Sequence, residues 1–571
     1  MNLINKLKLN RLSASFWGYV LIVLMIVTPW FLRSGYLFFT DNVWGPVIKL
    51  DWTGSWFFLK LLLNGLSFVF PVDFLEKIFI SGVLVLILLG GRILVKAILE
   101  YYNDRDSNGG QTKISSGLIF VLSLFVLFNP FVYDRALYGQ SGILIAYGFF
   151  LFALAYLFKT WRTLDFKNMS RAAIFNALVL MFSVHFIFLL LPFYLLFSVG
   201  LFLKYEQIKA SRRTKEFWRA LSLSFIIVLI INANWLIALA VKASPLAGFV
   251  EQGIMSQDLI AFQTAGKDTV DTLTNVLLMS GFWGKEQLRY LDLTDFPGWQ
   301  RSFILLIPII FYGICLSFWK RARKEKIFSS VLLIIFAIAV FLALGIKSPL
   351  TCGLTMFLYD HLPLYKGLRE PQKWVAVIIP IYLFYLTIGT AASAKIKAIM
   401  NNRLASGLIL AAIIIMQAPY LFWGFNRQVQ STPYPNDWYK VNDLLVDRSV
   451  HNGSCHDKIL FLPWHMYMSF NWTKKIIASP ARTFFICPVL SGTNMEWGGI
   501  YDNSRSLDSA AIVNWLKTRG KNGPPILTEM PIRYIILAKE LDFTSYLWLN
   551  KLSYVKPFLE TATLLVYEIK P

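Results

Sequence analysis

Charge is what this sequence has least of. Only 15% of its 571 residues are Asp, Glu, Lys or Arg, against about 25% in a soluble chain. With 56% hydrophobic residues and a mean hydropathy of +0.55, that deficit excludes a water-soluble domain with a large core and points to a polytopic membrane protein. Acid is the scarcer sign. There are 33 Asp and Glu against 55 Lys and Arg, a formal net charge of +22. In a soluble chain this would suggest nucleic acid; in a membrane protein it reflects basic cytoplasmic loops, and no nucleic-acid partner is expected. Cysteine is limited to four residues, with no C-x-x-C and no metal-ligand spacing. No A-x-A-like cleavage site follows the first apolar run, no repeat of fixed period is present, and no low-complexity tract interrupts the chain.

What is present is a series of apolar segments. The start, "MNLINKLKLNRLSASFWGYVLIVLMIVTPWFL", reads as an uncleaved first helix with its amino end in the cytoplasm. Further segments lie near 78–98, 114–130, 141–158, 171–184, 187–203, 220–240, 302–319, 327–345, 374–391 and 405–423, about eleven spans in all. Residues 171–203 read as two short helices broken at His185, or as one long tilted helix. Three short loops, 159–171, 204–219 and 320–326, hold four, six and five Lys or Arg. The positive-inside rule places these in the cytoplasm of a cell and the carboxyl end outside the plasma membrane. Residues 1–423 are then the membrane domain, with outer loops at 34–77, 129–140, 242–301 and 346–373.

The outer loops carry the polar chemistry. The first begins with Asp41-Asn42, and its "SWFFLKLLLNGLSFVF" suits a helix lying in the membrane interface. The second, "NPFVYDRALYGQ", carries Asp134 and Arg135, which alternatively form a structural ion pair. "NANW" (232–235) puts two Asn inside a span, where polar residues face a cavity or another helix. The stretch "YKGLREPQKW" gathers Lys366, Arg369 and Lys373 around Glu370 at the outer mouth of a span. Positive charge is least expected on that side. Either these cations snorkel to lipid head groups, or they hold an anionic group, Arg as a fork and Lys as a point charge. Pro371 suits the first helical turn there. Asp41 and His185 also have plainer readings, as a solvated loop residue and a structural interface residue.

Residues 424–571 change character. "DKILFLPWHMYMSF", "IRYIILAKE" and "TATLLVYEIK" read as strands, "PNDWYKVNDLLVDR" and "DSAAIVNWLKTRG" as helices, giving one extracytoplasmic α/β domain. Asn452 and Asn471 open N-x-S/T tripeptides, and Cys455 and Cys487 stand in a compartment that permits a disulfide. The aromatic stretches 463–472 and 494–503 offer faces for sugar rings or, alternatively, core. The domain is assigned to acceptor binding or to roofing a site, so its removal should affect acceptor use more than donor binding.

Taken together, Asp41 followed by an interfacial helix, "NPFVYDRALYGQ", "NANW", "GFW", "LREPQKW" and the outer domain beginning "ILFLPWHMY" resemble the GT-C class of membrane glycosyltransferases. The likeness is to the group with arabinofuranosyltransferase-type and YfhO-type proteins. The resemblance implies inverting transfer of a sugar from a polyprenyl-phosphate carrier to a glycan, lipid or protein acceptor on the outer face. It makes Asp41 the catalytic base, with Asp51 as fallback, and Arg369 and Lys373 the donor-phosphate ligands with Arg135 as helper. Glu370, Asp134 and His185 are supporting residues. Several GT-C families carry paired acids in the first loop. Here Asn42 follows Asp41, so no metal or other cofactor is called for. A lipid-linked-sugar flippase and a non-catalytic protein on the same scaffold are the alternatives.

Overall fold

The computed structural model describes residues 14–103, 115–163, 165–210, 214–241, 256–319, 323–362, 364–393, 403–451, 454–455, 457–492, 496–497, 500–501, 507–521 and 530–570. The tripeptide at Asn452, residues 242–255 of the fourth outer loop, parts of the three basic loops and most of the stretch 494–503 lie outside these residues.

The chain is mostly helical up to residue 426. Among the described residues, five helices are long and apolar enough to cross a membrane: Val72–Tyr102, Ser141–Trp161, Trp299–Phe318, Glu325–Lys347 and Pro371–Ser393. Two bent pairs raise the number to seven, Thr214–Ile231 with Ala233–Ala240 and Leu404–Ile415 with Pro419–Asn426. This is fewer than the eleven apolar segments, because hydropathy counts apolar residues and does not register where a helix breaks. The segment 114–130 shows the difference. Its helix stops at Leu124, and Asn129 then caps a new helix, Pro130–Leu137, by accepting from Val132 N. Residues 171–203 do form two helices, Phe166–Phe182 and Phe186–Ala210, broken at Ser183–His185. The interfacial stretch forms a helix, Phe57–Ser67, with none of its residues buried.

Pro371–Ser393 is the axis of the bundle, and every residue from Pro371 to Gly389 is buried. A polar group at its outer end is therefore held by a rigid, fully packed element. Pro371 takes the first-turn position of a short 3-10 turn, Pro371–Trp374, which runs directly into the α-helix from Val375.

The carboxyl-terminal part folds around a five-stranded sheet in the order Val555–Glu560, Leu564–Ile569, Ile532–Ala538, Lys458–Leu462, Val489–Leu490. After Lys458 the run "ILFL" is continuously apolar because both faces are covered. Ile459 and Phe461 face the helix Asn436–Ser449, through Trp438, Val441 and Leu445. Leu460 and Leu462 face the helix Leu507–Lys517, through Ile512 and Trp515. Cys455 and Cys487 form a disulfide with Cα atoms 5.3 Å apart.

This unit is not separable from the membrane part. Tyr36 and Leu37 pair antiparallel with Thr432 and Ser431, Ala478 N donates to Thr40 O at 2.8 Å, and Val47 N donates to Thr483 O at 3.3 Å. Tyr36 and Phe38 belong to the core under the helix Asn436–Ser449. Removing the tail would strip the segment 36–47 of its packing and strand partners, so a deletion would not separate acceptor use from donor binding. Phe38 is 1% exposed, with its ring 5.1 Å from Tyr434 and 4.9 Å from Trp472. Phe38→Ala should therefore destabilise the carboxyl-terminal domain by about 3 kcal/mol or more. Denaturant unfolding in detergent, followed by Trp fluorescence, checks it; an unmoved midpoint would refute the shared core.

Candidate active site

Asp41 sits where three segments meet. Its backbone N–H donates to Tyr138 O at 2.8 Å, which ties the first outer loop to the turn after Pro130–Leu137. That turn needs Gly139. Its φ is +76°, and an added Cβ would lie 2.7 Å from Phe39 Cβ and 2.8 Å from Asn42 N. The carboxylate accepts from the Tyr467 hydroxyl at 2.7 Å through Oδ1 and from Gln140 Nε2 at 3.5 Å through Oδ2. The side chain is open to water yet crowded by protein, so it lines a recess. Crowding raises its pKa to about 6, against the opposing pull of the Tyr467 hydrogen bond. Asn42, in the place of a second acid, is structural: it donates to Ser141 Oγ at 3.1 Å and accepts from Trp44 Nε1 at 3.1 Å.

Next to it lies a buried ion cluster at the head of the axial helix. Glu370 accepts from Arg135 Nη1 and from Trp283 Nε1 at 3.1 Å, and it pairs with Lys373 at 3.3 Å. Arg135, 0% exposed, also donates to Gln140 Oε1 and to Gln372 Oε1, the latter at 2.7 Å. Its guanidinium lies 4.6 Å from the Phe282 ring centre. Lys373 Nζ donates to Gly367 O at 2.9 Å. Burial works against the Glu370 charge, but Lys373 and Arg135 outweigh it and hold the carboxyl well below the usual range. The cluster of Arg135, Lys373 and Glu370 thus keeps one net positive charge. Lys373 and Arg135 are spent on this pairing, so they act on the recess through their field.

Two other cations face the same region. Arg369, half-buried, stacks with its guanidinium 4.4 Å from the centre of Phe262. Arg289, also half-buried, lies 5.6 Å from the ring centre of Tyr467 and within electrostatic reach of Asp41. Arg369 is in reach of Tyr467 as well. Among the described residues no group of three or more His, Cys, Asp or Glu converges as a metal site would.

The remaining candidates fall into place around this centre. His185 packs against Gly367, where an added Cβ would lie 2.5 Å from Nδ1. Burial and the surrounding cations push its pKa well down, so the ring is neutral. Arg135 turns to Glu370 and not to its neighbour Asp134. Asp134 lies near the Lys285–Asp292 pair, itself 2.6 Å apart, and burial raises its carboxyl to about 8. Asp51, the fallback base, closes a local turn by accepting from Thr53 N at 2.9 Å. "NANW" ties elements together: Asn234 donates to Trp52 O at 3.1 Å and to Gly54 O at 3.0 Å, and Asn232 donates to Ala177 O at 3.1 Å. Trp464 is buried in a core, and Trp472 packs partly buried against another. Sequence reasoning missed Arg289, Gln140 and Tyr467. The segment "GKEQLRYLD" carried a usable signal for Arg289, a cation in a predicted outer loop.

In sequence the chain matches no protein-family model and no curated protein. In structure it is similar to the mycobacterial arabinofuranosyltransferase AftD, at TM-score 0.54 and 12% identity, over 98% of this chain and 39% of that one. It thus spans about two fifths of that transferase's length. It also aligns with an Archaeoglobus fulgidus oligosaccharyltransferase, at TM-score 0.44 and 11% identity over 98% of this chain and 73% of that one. Cupriavidus metallidurans ArnT aligns at TM-score 0.37 and 10% identity, over 97% of each chain. The chain has the GT-C membrane glycosyltransferase fold.

Proposed function

We propose that the protein is an inverting glycosyltransferase. It moves a sugar from a polyprenyl-phosphate donor to a hydroxyl of a glycan, lipid or protein acceptor at the outer face of the plasma membrane. One observation carries the reading. The carboxylate of Asp41 and the guanidinium groups of Arg369 and Arg289 all lie within reach of the Tyr467 side chain, near the head of the axial helix of a GT-C fold. The basic short loops support a topology with the amino end inside and the carboxyl-terminal domain outside. The Cys455–Cys487 disulfide favours an oxidising compartment for that domain.

The chemistry follows from the donor set. Asp41 takes the proton of the acceptor hydroxyl as its oxygen attacks the anomeric carbon. The new C–O bond forms as the bond to the phosphate oxygen breaks, and the electron pair leaves on the lipid phosphate. That phosphate is a good leaving group and needs no general acid. Arg369 and Arg289 stabilise its growing charge, with the net positive charge of the Arg135–Glu370–Lys373 cluster behind them. A single displacement inverts the anomeric centre.

Asp41→Asn should abolish transfer in membranes supplied with polyprenyl-phosphate sugars while leaving expression and thermal stability intact; full activity would remove Asp41 as base. The base must be ionised, and its carboxyl titrates at about 6. As pH falls through that value the ionised fraction is lost, so kcat/KM should be halved near the pKa and fall about tenfold for each further unit. A rate flat from pH 7 to pH 5 would count against it. Arg369→Ala should weaken donor binding by about 2 kcal/mol, roughly 30-fold, and unchanged binding would sink that assignment. Topology is tested at Lys440, which is exposed, because Ser431 is buried and bonded to Trp30 O. With Cys315 and Cys352 changed to Ser, a membrane-impermeant thiol reagent should label Lys440→Cys on intact cells. Labelling only after lysis would place the domain inside.

A further inference from the structure

The carboxyl-terminal domain reaches the transfer site with one side chain. Tyr467 stands on the strand Tyr467–Phe470, which pairs with Lys475–Ala478 in a hairpin. Its hydroxyl donates to Asp41 Oδ1 at 2.7 Å across 426 residues of sequence. The contact is held from both sides. Ala478, the register partner of Tyr467, donates its N–H to Thr40 O at 2.8 Å, and Asp41 N–H donates to Tyr138 O at 2.8 Å. The residue before Asp41 is therefore sewn to the hairpin, and Asp41 itself to the turn after Pro130–Leu137. The Arg289 guanidinium, 5.6 Å from the ring centre, covers the phenol.

We propose that Tyr467 is a positioning residue for Asp41, so that the outer domain supplies part of the transfer site and is not merely a cover over it. This rests on the reading of Asp41 as the base. The two carboxylate oxygens are not equivalent. Oδ1 is committed to Tyr467 by a short bond, whereas Oδ2 has only the 3.5 Å contact with Gln140. A carboxylate pinned through one oxygen presents the other in a fixed direction, and Oδ2 is then the atom that receives the acceptor proton. Burial keeps the phenol well above its ordinary pKa, so Tyr467 remains a donor at every pH at which the enzyme works. A donor on Oδ1 favours the ionised carboxyl, against the crowding that favours the neutral one. The other groups in electrostatic reach are Glu370, which raises the carboxyl, Arg289, which lowers it, and the neutral phenols of Tyr138 and Tyr290.

The test uses Tyr467→Phe in the full-length protein, which removes one oxygen and keeps the ring. The first readout needs no substrate. In infrared pH titration, the carboxylic-acid band that is present in the wild type and absent in Asp41→Asn belongs to Asp41. Its midpoint should move up by about one pH unit in Tyr467→Phe, as expected for loss of a hydrogen bond to a charged group. The second readout is transfer. In Tyr467→Phe, kcat should drop at least several-fold, the acid limb of the pH profile should move up with the infrared midpoint, and binding of undecaprenyl phosphate should stay within twofold. If Asp41→Asn loses transfer but Tyr467→Phe moves neither the midpoint nor the pH profile, this inference is overturned and the base assignment stands. If Asp41→Asn keeps full transfer, the functional reading is overturned, and with it any catalytic role for Tyr467.

Discussion

Everything at the recess depends on the seam between the first outer loop and the carboxyl-terminal domain. A loop next to a membrane helix has no reason to hold one conformation unless its backbone groups are paired. Here they are paired with strands from the far end of the chain: Tyr36 with Thr432, Leu37 with Ser431, and Thr40 with Ala478. Tyr36 and Phe38 alternate with Leu37 and Phe39, as extended chain requires. The first pair enters the outer core and the second enters the membrane core. One short extended segment thus belongs to both hydrophobic cores, and Asp41 follows at its end. The precision of the site is inherited from two packed cores.

The buried ion cluster meets a different constraint. Two cations and one anion out of water cost more than an apolar cluster of the same volume unless each is well bonded. Glu370 meets that condition with Arg135, Lys373 and Trp283, and Arg135 meets it through its Nη atoms, with Glu370, Gln140 and Gln372, but not through its buried Nε. Stability is a poor explanation for retaining such a group. A net positive charge fixed at the head of a fully packed helix does explain it, because that charge costs no reorganisation when an anion develops nearby. Gln140 links the two halves of the site, since it accepts from Arg135 and contacts Asp41.

Much of this was legible in the sequence, for identifiable reasons. The strands "KILFL" and "IRYIILA" announce themselves by β-branched apolar runs, and the break at His185 by its polar interruption. The crowding of Lys366, Arg369, Glu370 and Lys373 could be read directly, because charge at the outer mouth of a span runs against the usual bias. What each charge does could not. Lys373 and Arg135 belong to Glu370 because Arg135 and Glu370, 235 residues apart, meet across the bundle. Spacing carries no information on such a meeting. Among the described residues the long unbroken apolar helices are fewer than the apolar segments for a related reason: the break after Leu124 and the bends near Asn232 and Gln417 lie within otherwise apolar sequence.

Tyr467 is the sharpest case. In sequence it is one aromatic among several in "PWHMYMSFNW", and pattern alone does not separate it from Trp464, which is core, or Trp472, which packs partly buried against a core. The strand period does separate it. Met468 and Phe470 point into the domain and are 1% and 0% exposed. Tyr467 and Ser469 therefore take the opposite face, and the seam at Thr40 turns that face toward the first loop. Asp41 in the segment after the first helix and Tyr467 near the end of the chain meet only because the carboxyl-terminal hairpin is docked on that segment. A chain that stopped short of that domain would keep Asp41 but would lose the bond that aims it.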